Sequence, residues 1–292
     1  MKLRSDAIII ISILIALWFM WFVSGGPSKV ESTKGPFLKP PSPIDTGEIY
    51  GNLPNLDFNF KLGTKNFISS KYRVSVKAVG SAIKETSPAK EYLDITNKSD
   101  SLLDITGWRV ASESGTSARI GGSVQLFVSG EVREINNTVL RPGETAHIIS
   151  GQSPVGVSFK QNVCSGYLSQ FQRFVPALPK ECPSATTSEN LSLYKPSPTC
   201  VNFVNNLPSC TTVINIDQIP GGSGPSCGEF IEKHVTYNGC VTDNRNKNNF
   251  YKPYFMIYLG SNKELWKSSD TIHILDREGK TVTTVKQTFL NI

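Results

Sequence analysis

The amino-acid sequence predicts an all-β fold, an antiparallel sandwich or barrel that follows one N-terminal transmembrane helix and carries a long cysteine-bearing insertion. Three observations predict this fold class. Short segments with apolar residues at every second position recur along the chain, and clusters of Gly, Pro, Asn, Asp and Ser separate them. Between residues 72 and 150, no segment of about a dozen residues or more has the period of a helix.

The chain opens with a membrane-targeting segment. Lys2 and Arg4 precede seventeen uncharged, mostly apolar residues, 7–23. As a helix these residues would span about 26 Å, and the two small residues that follow bring the length close to a bilayer core of ~30 Å. Because positive residues stay on the cytoplasmic side, we predict a cytoplasmic tip at 1–6, a transmembrane signal anchor at 7–24 and a C-terminal domain outside the cytoplasm.

Cleavage of this segment is the alternative interpretation. A signal peptide usually has an apolar region of about 7–15 residues before its cleavage site. Here the apolar run is longer, and it ends in Trp18, Phe19, Trp21 and Phe22, which suit a membrane interface. We therefore predict a single-pass membrane protein, with secretion after cleavage near Ser24 as the alternative. Either fate places the rest of the chain outside the cytoplasm.

Composition divides the remaining chain into a linker and one domain. Residues 25–66 are rich in Pro and Gly, which predicts an extended spacer. We assign 67–292 to one β domain, interrupted at about 161–250 by an insertion that holds all six cysteines. The net charge of +6 is scattered rather than clustered, which favours a solvated surface over a tail that binds anionic polymers.

Eight strands are predicted from the alternation of apolar and polar residues. In the first of them, Tyr, Val, Val and Ala alternate with Arg, Ser and Lys. The predicted strands are 72–78, 91–96, 107–111, 123–128, 145–149, 254–259, 271–275 and 281–286. Turn signals separate them at 98–100, 121–122, 136–137, 141–144 and 276–279. Within the insertion, 166–174 and 227–234 are predicted to be short helices.

The cysteines of the insertion are predicted to form three disulfides. They are Cys164, Cys182, Cys200, Cys210, Cys227 and Cys240. No two are spaced C-x-x-C, as a thioredoxin-like or zinc-ribbon site requires, and an even number outside the cytoplasm favours bridges. Six cysteines allow 15 pairings, and our first expectation is Cys227–Cys240, which closes a short loop. Each bridge would contribute ~3 kcal/mol, which matters because the insertion is expected to be too polar to build its own core.

No motif in the chain predicts catalysis or a cofactor. His147 and His273 fall inside predicted strands, and His234 lies between two cysteines, where a disulfide is favoured over a Cys/His metal site. Gly-rich residues 221–224 lack the Lys-Ser/Thr of a phosphate loop. Carboxylates such as Asp94 give no reason to prefer a paired site over a solvated face. We therefore predict no enzymatic activity, no metal and no small-molecule cofactor.

Four ordered motifs resemble those of the lamin tail domain family. Residues 91–97, EYLDITN, lead through a polar loop to LDITGW at 103–108. RPGE at 141–144 resembles the family's turn before a hydrophobic strand, and 265–279 resembles its closing hairpin. The resemblance covers roughly residues 70–150 and 250–287. The insertion between them is similar to additions in bacterial membrane-anchored or secreted versions of the domain.

The resemblance implies an immunoglobulin-like β-sandwich. In such a sandwich Trp108 would be a core anchor, and the inner faces would be filled by Ile95, Val110, Leu126, Ile148, Ile272 and Leu275. The residues that carry the resemblance are Asn97, Gly107, Trp108, Pro142, Gly143, Trp266, Asp270 and Gly279. None of them needs a catalytic explanation.

The expected function is that of a non-enzymatic, membrane-anchored surface protein that displays a lamin-tail-like binding or scaffolding domain. It would contact the membrane through residues 7–24. Its ligand would be a protein, a polysaccharide or a nucleic acid, and the resemblance does not choose among them. The alternatives are an envelope-associated enzyme or accessory module with a site in the insertion, and a DNA-tethering module whose binding falls steeply with salt.

Overall fold

The computed structural model describes residues 15–20, 72–78, 86–131, 134–267 and 270–286. The chain forms two compact units, Met1–Ser42 and Pro43–Ile292. In the first unit, residues 15–20 are helical. Across the described ranges, no helix is long and apolar enough to cross a bilayer. The tip at 1–6, the linker at 25–66 and most of the predicted anchor at 7–24 lie outside the described residues, so these assignments remain predictions.

The described part of the second unit contains eleven strands in three sheets. They are β1 (Val74–Ala78), β2 (Tyr92–Asn97), β3 (Leu103–Asp104), β4 (Arg109–Ser112), β5 (Ser117–Arg119), β6 (Val139–Leu140), β7 (Thr145–Ile149), β8 (Phe159–Asn162), β9 (Tyr251–Tyr258), β10 (Thr271–Leu275) and β11 (Thr281–Lys286). The two larger sheets have the orders β1-β2-β7-β9-β8 and β11-β10-β4-β5, and β3 pairs with β6. The fold is therefore β-rich, as predicted.

Strands β7 and β9 run parallel, with Thr145 opposite Tyr254, whereas the other paired strands are antiparallel. The antiparallel prediction is wrong for this pair. A parallel pair needs a long crossover connection, and β8 together with the insertion provides it. The strand predicted at 123–128 is also wrong, because only Ser123 and Val124 of this segment form isolated bridges.

The two larger sheets contribute side chains to a common hydrophobic core. Trp108 is 1% exposed within this core, which confirms its prediction as an anchor. Of the residues predicted to fill the inner faces, the core contains Ile95, Val110, Ile148 and Ile272. Leu126 instead packs on a second cluster, and Leu275 is buried outside both.

The second half of strand β9 is buried on both faces. Phe255, Met256 and Ile257 are consecutive buried residues. Phe255 and Ile257 belong to the core between the sheets, whereas Met256 packs with the insertion in the second cluster, beside Ile149 and Phe159. A continuous apolar run is typical of a strand covered on both sides. The insertion therefore covers part of the outer face of the five-stranded sheet.

The described residues of the insertion form four α-helices and two 3₁₀ helices. The α-helices are α1 (Ser188–Tyr194), α2 (Pro198–Asn205), α3 (Pro225–His234) and α4 (Tyr237–Asn244), and the 3₁₀ helices are Ser165–Gln170 and Ile216–Gln218. Thr187, Ser197 and Thr236 are the N-caps of α1, α2 and α4. The helix predicted at 227–234 is confirmed and begins earlier, because Pro225 suits a first helical turn. The helix predicted at 166–174 is a 3₁₀ helix that ends at Gln170, so the prediction is wrong for 171–174.

Three disulfides join all six cysteines. The bridges are Cys164–Cys240, Cys182–Cys210 and Cys200–Cys227. The expected Cys227–Cys240 pair is therefore wrong. Helices α3 and α4 occupy the segment that this pair would have closed, and each of the two cysteines instead bonds to a more distant part of the insertion. Proximity in sequence did not predict the pairing, because the packing of the helices determines which cysteines lie close enough to form a bond.

The insertion has a hydrophobic core of its own, contrary to expectation. This third cluster consists of Ala185, Cys200, Val204, Cys227, Phe230, Ile231 and Val235. The Cys200–Cys227 bridge lies inside it and joins α2 to α3. The average composition of the insertion is polar and did not predict this core. The apolar residues of the insertion lie on the inner sides of short helices, where they pack together.

Replacing two helical glycines by alanine is expected to change the free energy of unfolding in opposite directions. A Cβ at Gly239 in α4 would overlap the carbonyl oxygen of Lys233, whereas a Cβ at Gly228 in α3 would have no heavy atom within 4 Å. We expect Gly239→Ala to lower the free energy of unfolding by about 1–3 kcal/mol through overpacking. Gly228→Ala should raise it by up to about 1 kcal/mol through helix propensity. Chemical denaturation of both variants measures the difference, and equal effects would contradict the packing of α4 against α3.

Candidate functional site

One part of the outer face of the five-stranded sheet is not covered by the insertion, and we call it the open half-face. Strand register and side-chain alternation place on it residues from β1, β2, β7 and β9 and from the positions that flank β1 and β2. These residues are Arg73, Ser75, Lys77, Asp94, Thr96, Lys98, Thr145, His147, Lys252 and Tyr254. The face is therefore polar, with one exposed aromatic ring.

A histidine and a carboxylate form the centre of the open half-face. His147 in β7 lies opposite Asp94 in β2 in the sheet register. Its Nδ1 donates a hydrogen bond to Asp94 Oδ1 at 2.6 Å, and the two side chains are 14% and 20% exposed. This bond fixes the imidazole ring and leaves the rest of the carboxylate available as an acceptor.

Two tyrosines hold the same imidazole. The ring of Tyr254 stacks on His147, with centroids 5.5 Å apart and an interplanar angle of 15°. Tyr92 meets it edge-on, with centroids 6.2 Å apart. Burial and the charge on Asp94 raise the pKa of Tyr92. Because Tyr254 is still 39% exposed, the stack presents ring surface to solvent.

Two hydroxyls complete the polar surface. Thr96 Oγ1 and Thr145 Oγ1 are 2.9 Å apart and directly opposite one another in β2 and β7. Lys77 in β1 lies opposite Asp94 and is exposed. Carboxylate, hydroxyl and ammonium groups thus lie side by side on neighbouring strands, so that this face can both donate and accept hydrogen bonds.

A carboxylate–histidine pair can also serve as a catalytic base, which then needs a nucleophile within reach. Within the described ranges, no Ser, Thr or Cys side chain is hydrogen-bonded to His147, and all six cysteines are bridged. Among the described residues, the pair is therefore without the hydrogen-bonded nucleophile that acyl transfer uses.

A second histidine–carboxylate pair lies inside the insertion. His234 Nδ1 donates to Asp243 Oδ2 at 2.8 Å, and Asn190 Nδ2 donates to the same oxygen at 2.9 Å. The imidazole is buried against the rings of Tyr194 and Phe230, with centroid distances of 4.9 and 5.2 Å. These contacts join α1, α3 and α4, so the pair holds helices together.

The residues considered for a Cys/His metal site have other partners in the structure. The two cysteines that flank His234 in sequence are both in disulfides. In the part of the chain that the structure describes, no group of three or more His, Cys, Asp or Glu side chains could hold a metal ion. The third histidine, His273, lies in β10 as predicted, and burial lowers its pKa although Glu113, 4.0 Å away, opposes this shift.

The insertion contains a cavity of about 200 Å³ beside the Cys182–Cys210 bridge. Its walls include Tyr167, Ala185, Val204 and Val235, and no acidic, basic or histidine side chain lines it. A catalytic site normally needs titratable groups that converge on the pocket. This cavity therefore offers no acidic, basic or histidine group for catalysis.

The residues that carry the family resemblance hold turns and core rather than a ligand site. Asn97 Nδ2 donates to the carbonyl oxygens of Ser101 and Leu140 at 2.8 and 3.0 Å, which fixes the loop after β2. Gly107 adopts a φ of +79° and donates to Ile120 at 2.7 Å, and this turn directs Trp108 into the core.

The other resemblance residues have similar structural roles. Pro142 and Gly143 form the turn before β7, and the Gly143 N–H donates to the carbonyl oxygen of Asn97 at 2.9 Å. Trp266 is buried in the core between the sheets, and Gly279 closes the β10–β11 hairpin with a φ of +80°. These positions hold turns and core of the β-rich fold but do not meet at one surface.

Asp270 is the last of these residues. Burial acts to raise the pKa of its carboxyl, but hydrogen bonds from the Lys267 backbone N–H and from the Ser112 and Ser114 hydroxyls reverse the effect and lower the pKa. The carboxylate ties the loop before β10 to the end of β4. A lowered pKa means that this contribution to stability is present above the ordinary value and is lost as the pH falls through the folded value.

Sequence reasoning missed the open half-face. Asp94, His147 and Tyr254 lie in three separately predicted strands, at positions whose alternation points them away from the core. This shared outward orientation, predicted by the alternation of apolar and polar residues, is the sequence feature from which they could have been predicted. No protein-family model, curated protein or solved structure matches the chain. The lamin tail resemblance therefore stays a prediction, and the site is argued from its geometry alone.

Proposed function

We propose that this chain is a non-enzymatic, membrane-anchored surface protein that displays a binding or scaffolding domain outside the cytoplasm. The domain would be an immunoglobulin-like sandwich of the lamin tail type, held by residues 7–24 and spaced from the membrane by residues 25–66. The complete pairing of the cysteines carries the proposal. Stable disulfides require an oxidising compartment, which is where the N-terminal segment would deliver the domain.

The open half-face supports a binding role for this domain. His147 is fixed by a hydrogen bond and by two aromatic rings, so that the surface is organised before any partner arrives. Preorganised polar and aromatic groups lower the entropy cost of association. The enzyme alternative would need a site elsewhere than the cavity beside the Cys182–Cys210 bridge, whose lining includes no acidic, basic or histidine side chain.

Thiol counting tests the compartment and the disulfides together. We expect the full-length protein, extracted from cells in denaturant with an alkylating reagent, to carry no label before reduction and six labels after it. Protease added outside the cytoplasmic membrane of intact cells should digest the domain. Free thiols in the freshly extracted protein, or digestion only after the membrane is broken, would contradict the proposal.

A further inference from the structure

We infer that the open half-face binds an anionic polysaccharide, with a sugar ring stacked on Tyr254 and acidic groups held by the surrounding cations. The inference rests on the proposed binding role and names the chemistry of its ligand. Three features carry it: an exposed ring, an excess of positive charge among the described residues of the face, and a central carboxylate among hydroxyls.

The exposed ring is a stacking platform. Tyr254 is 39% exposed, and one part of its ring is supported by the parallel imidazole of His147 at 5.5 Å. The hydrogen bond to Asp94 holds that imidazole in place. A sugar ring offers a flat C–H surface that packs on an aromatic face. Because the ring is already supported, little rotamer freedom is lost when a ligand covers it.

Positive charge surrounds this platform. Arg73, Lys77, Lys98 and Lys252 lie on the same face, and the first three are exposed. None of the four forms an ion pair with another described residue. Against these four cations, the described residues of the face include one carboxylate, Asp94, which His147 already engages. The surplus favours a ligand that carries several negative charges.

The central carboxylate, Asp94, discriminates between the possible classes of polyanionic ligand. Asp94 lies beside the Thr96 and Thr145 hydroxyls, and its remaining lone pairs need donors. Polysaccharides offer a hydroxyl donor on almost every unit. A DNA backbone has no hydroxyl donors to offer this carboxylate. Single strands also prefer several stacking rings in a row, and among the described residues of this face Tyr254 is the one exposed aromatic ring. An acidic glycan therefore fits best.

The cations lie on or next to β1, β2 and β9, three of the four adjacent strands, rather than in one pocket. Neighbouring strands lie about 4.8 Å apart, so the face from β1 to β9 is roughly 14 Å wide. This shape suits an extended segment of a polymer better than a single sugar. We therefore expect binding to depend on chain length.

The experiment uses the full-length protein in detergent micelles and three probes: polygalacturonate, neutral dextran and single-stranded oligodeoxythymidylate. We expect polygalacturonate to bind and dextran to bind much more weakly or not at all. Tyr254→Ala should weaken polygalacturonate binding by about tenfold, and Tyr254→Phe should restore most of it. Lys77→Ala/Lys98→Ala should weaken binding and flatten its dependence on salt.

The matched control is Arg173→Ala/Lys180→Ala, which removes two exposed cations from the insertion. It should leave the affinity within about twofold of the native protein, since these residues are outside the face. Equal loss in the two double variants would overturn the inference, because binding would then follow net charge alone. Tighter binding of the oligonucleotide, with the same sensitivity to Tyr254→Ala, would replace the polysaccharide by nucleic acid. If no probe binds while the disulfides and external exposure are as proposed, the ligand inference fails and the display function stands.

Discussion

Replacing Glu144 by alanine is expected to lower the free energy of unfolding by about 3–5 kcal/mol. Lys160 Nζ lies 2.6 Å from Glu144 Oε1, and the two side chains are only 4% and 9% exposed. The ammonium group also lies 4.8 Å from the ring centroid of Phe255 in the core. Without Glu144 a positive charge would stay buried with no counter-charge, which costs far more than the pair contributes when intact.

A double substitution separates the cost of an orphaned charge from the value of the pair. Glu144→Leu/Lys160→Met replaces both ions by apolar side chains, and it should recover most of the stability lost in Glu144→Ala. The exposed pair of Lys280 and Glu278, at 2.7 Å, is the matched control. Breaking it should leave the unfolding curve nearly unchanged, because solvent screens it. Urea denaturation measures all of these variants. A double variant as unstable as Glu144→Ala would refute this account of the pair.

Glu91→Ala is expected to have an effect of similar size, about 3–5 kcal/mol, for a different reason. Glu91 is fully buried at the start of β2, where Oε2 accepts the N–H of Leu265 at 3.0 Å and Oε1 accepts that of Trp266 at 3.2 Å. Alanine would leave two buried backbone donors without partners and a cavity beside them. Denaturation of Glu91→Ala measures the loss, and a change below about 1 kcal/mol would show that water replaces the carboxylate.

The pH dependence of this position has a definite sign. Burial raises the pKa of Glu91 above its ordinary value of 4.5, although the N–H groups of Leu265 and Trp266 oppose the shift. The folded state therefore binds the proton more tightly than the unfolded chain does. The resulting stabilisation is present below pH 4.5 and is lost as the pH rises through the folded pKa. Relative to the non-titrating Glu91→Gln variant, the native protein should gain stability on acidification, and a loss would contradict the assignment.

The strands that could be predicted from the sequence are those with four or more alternating residues. Thr145–Ile149 and Thr271–Leu275 agree with the prediction at both ends. Strands such as Leu103–Asp104 and Val139–Leu140 are too short to show a period, and they exist because they pair with each other. The segment at 123–128 shows the opposite error. Its local pattern resembles a strand, but its tertiary partners allow only isolated bridges.

Long-range geometry explains the other differences. The disulfide pairing depends on how the helices of the insertion pack, and no spacing between cysteines encodes that packing. Alternation could place Asp94, His147 and Tyr254 on outward faces. It could not show that the strand of Tyr254 lies next to that of His147, because a parallel pair across a long insertion is not a local property. The candidate site could therefore be identified only from the order of the strands in the sheet.

The Cys164–Cys240 bridge gives the domain a modular construction. It links a residue just after β8 to one in α4, eleven positions before β9, and spans 76 residues. Since β8 and β9 are hydrogen-bonded neighbours, the segment between them leaves and re-enters the sheet at one place. The segment is in effect a covalently closed cassette. Its length and composition can drift during evolution without altering the register of the strands beneath it, because lengthening a closed loop costs little entropy. A domain built in this way can change the segment that covers its outer face while keeping both the sheets and the polar face beside it.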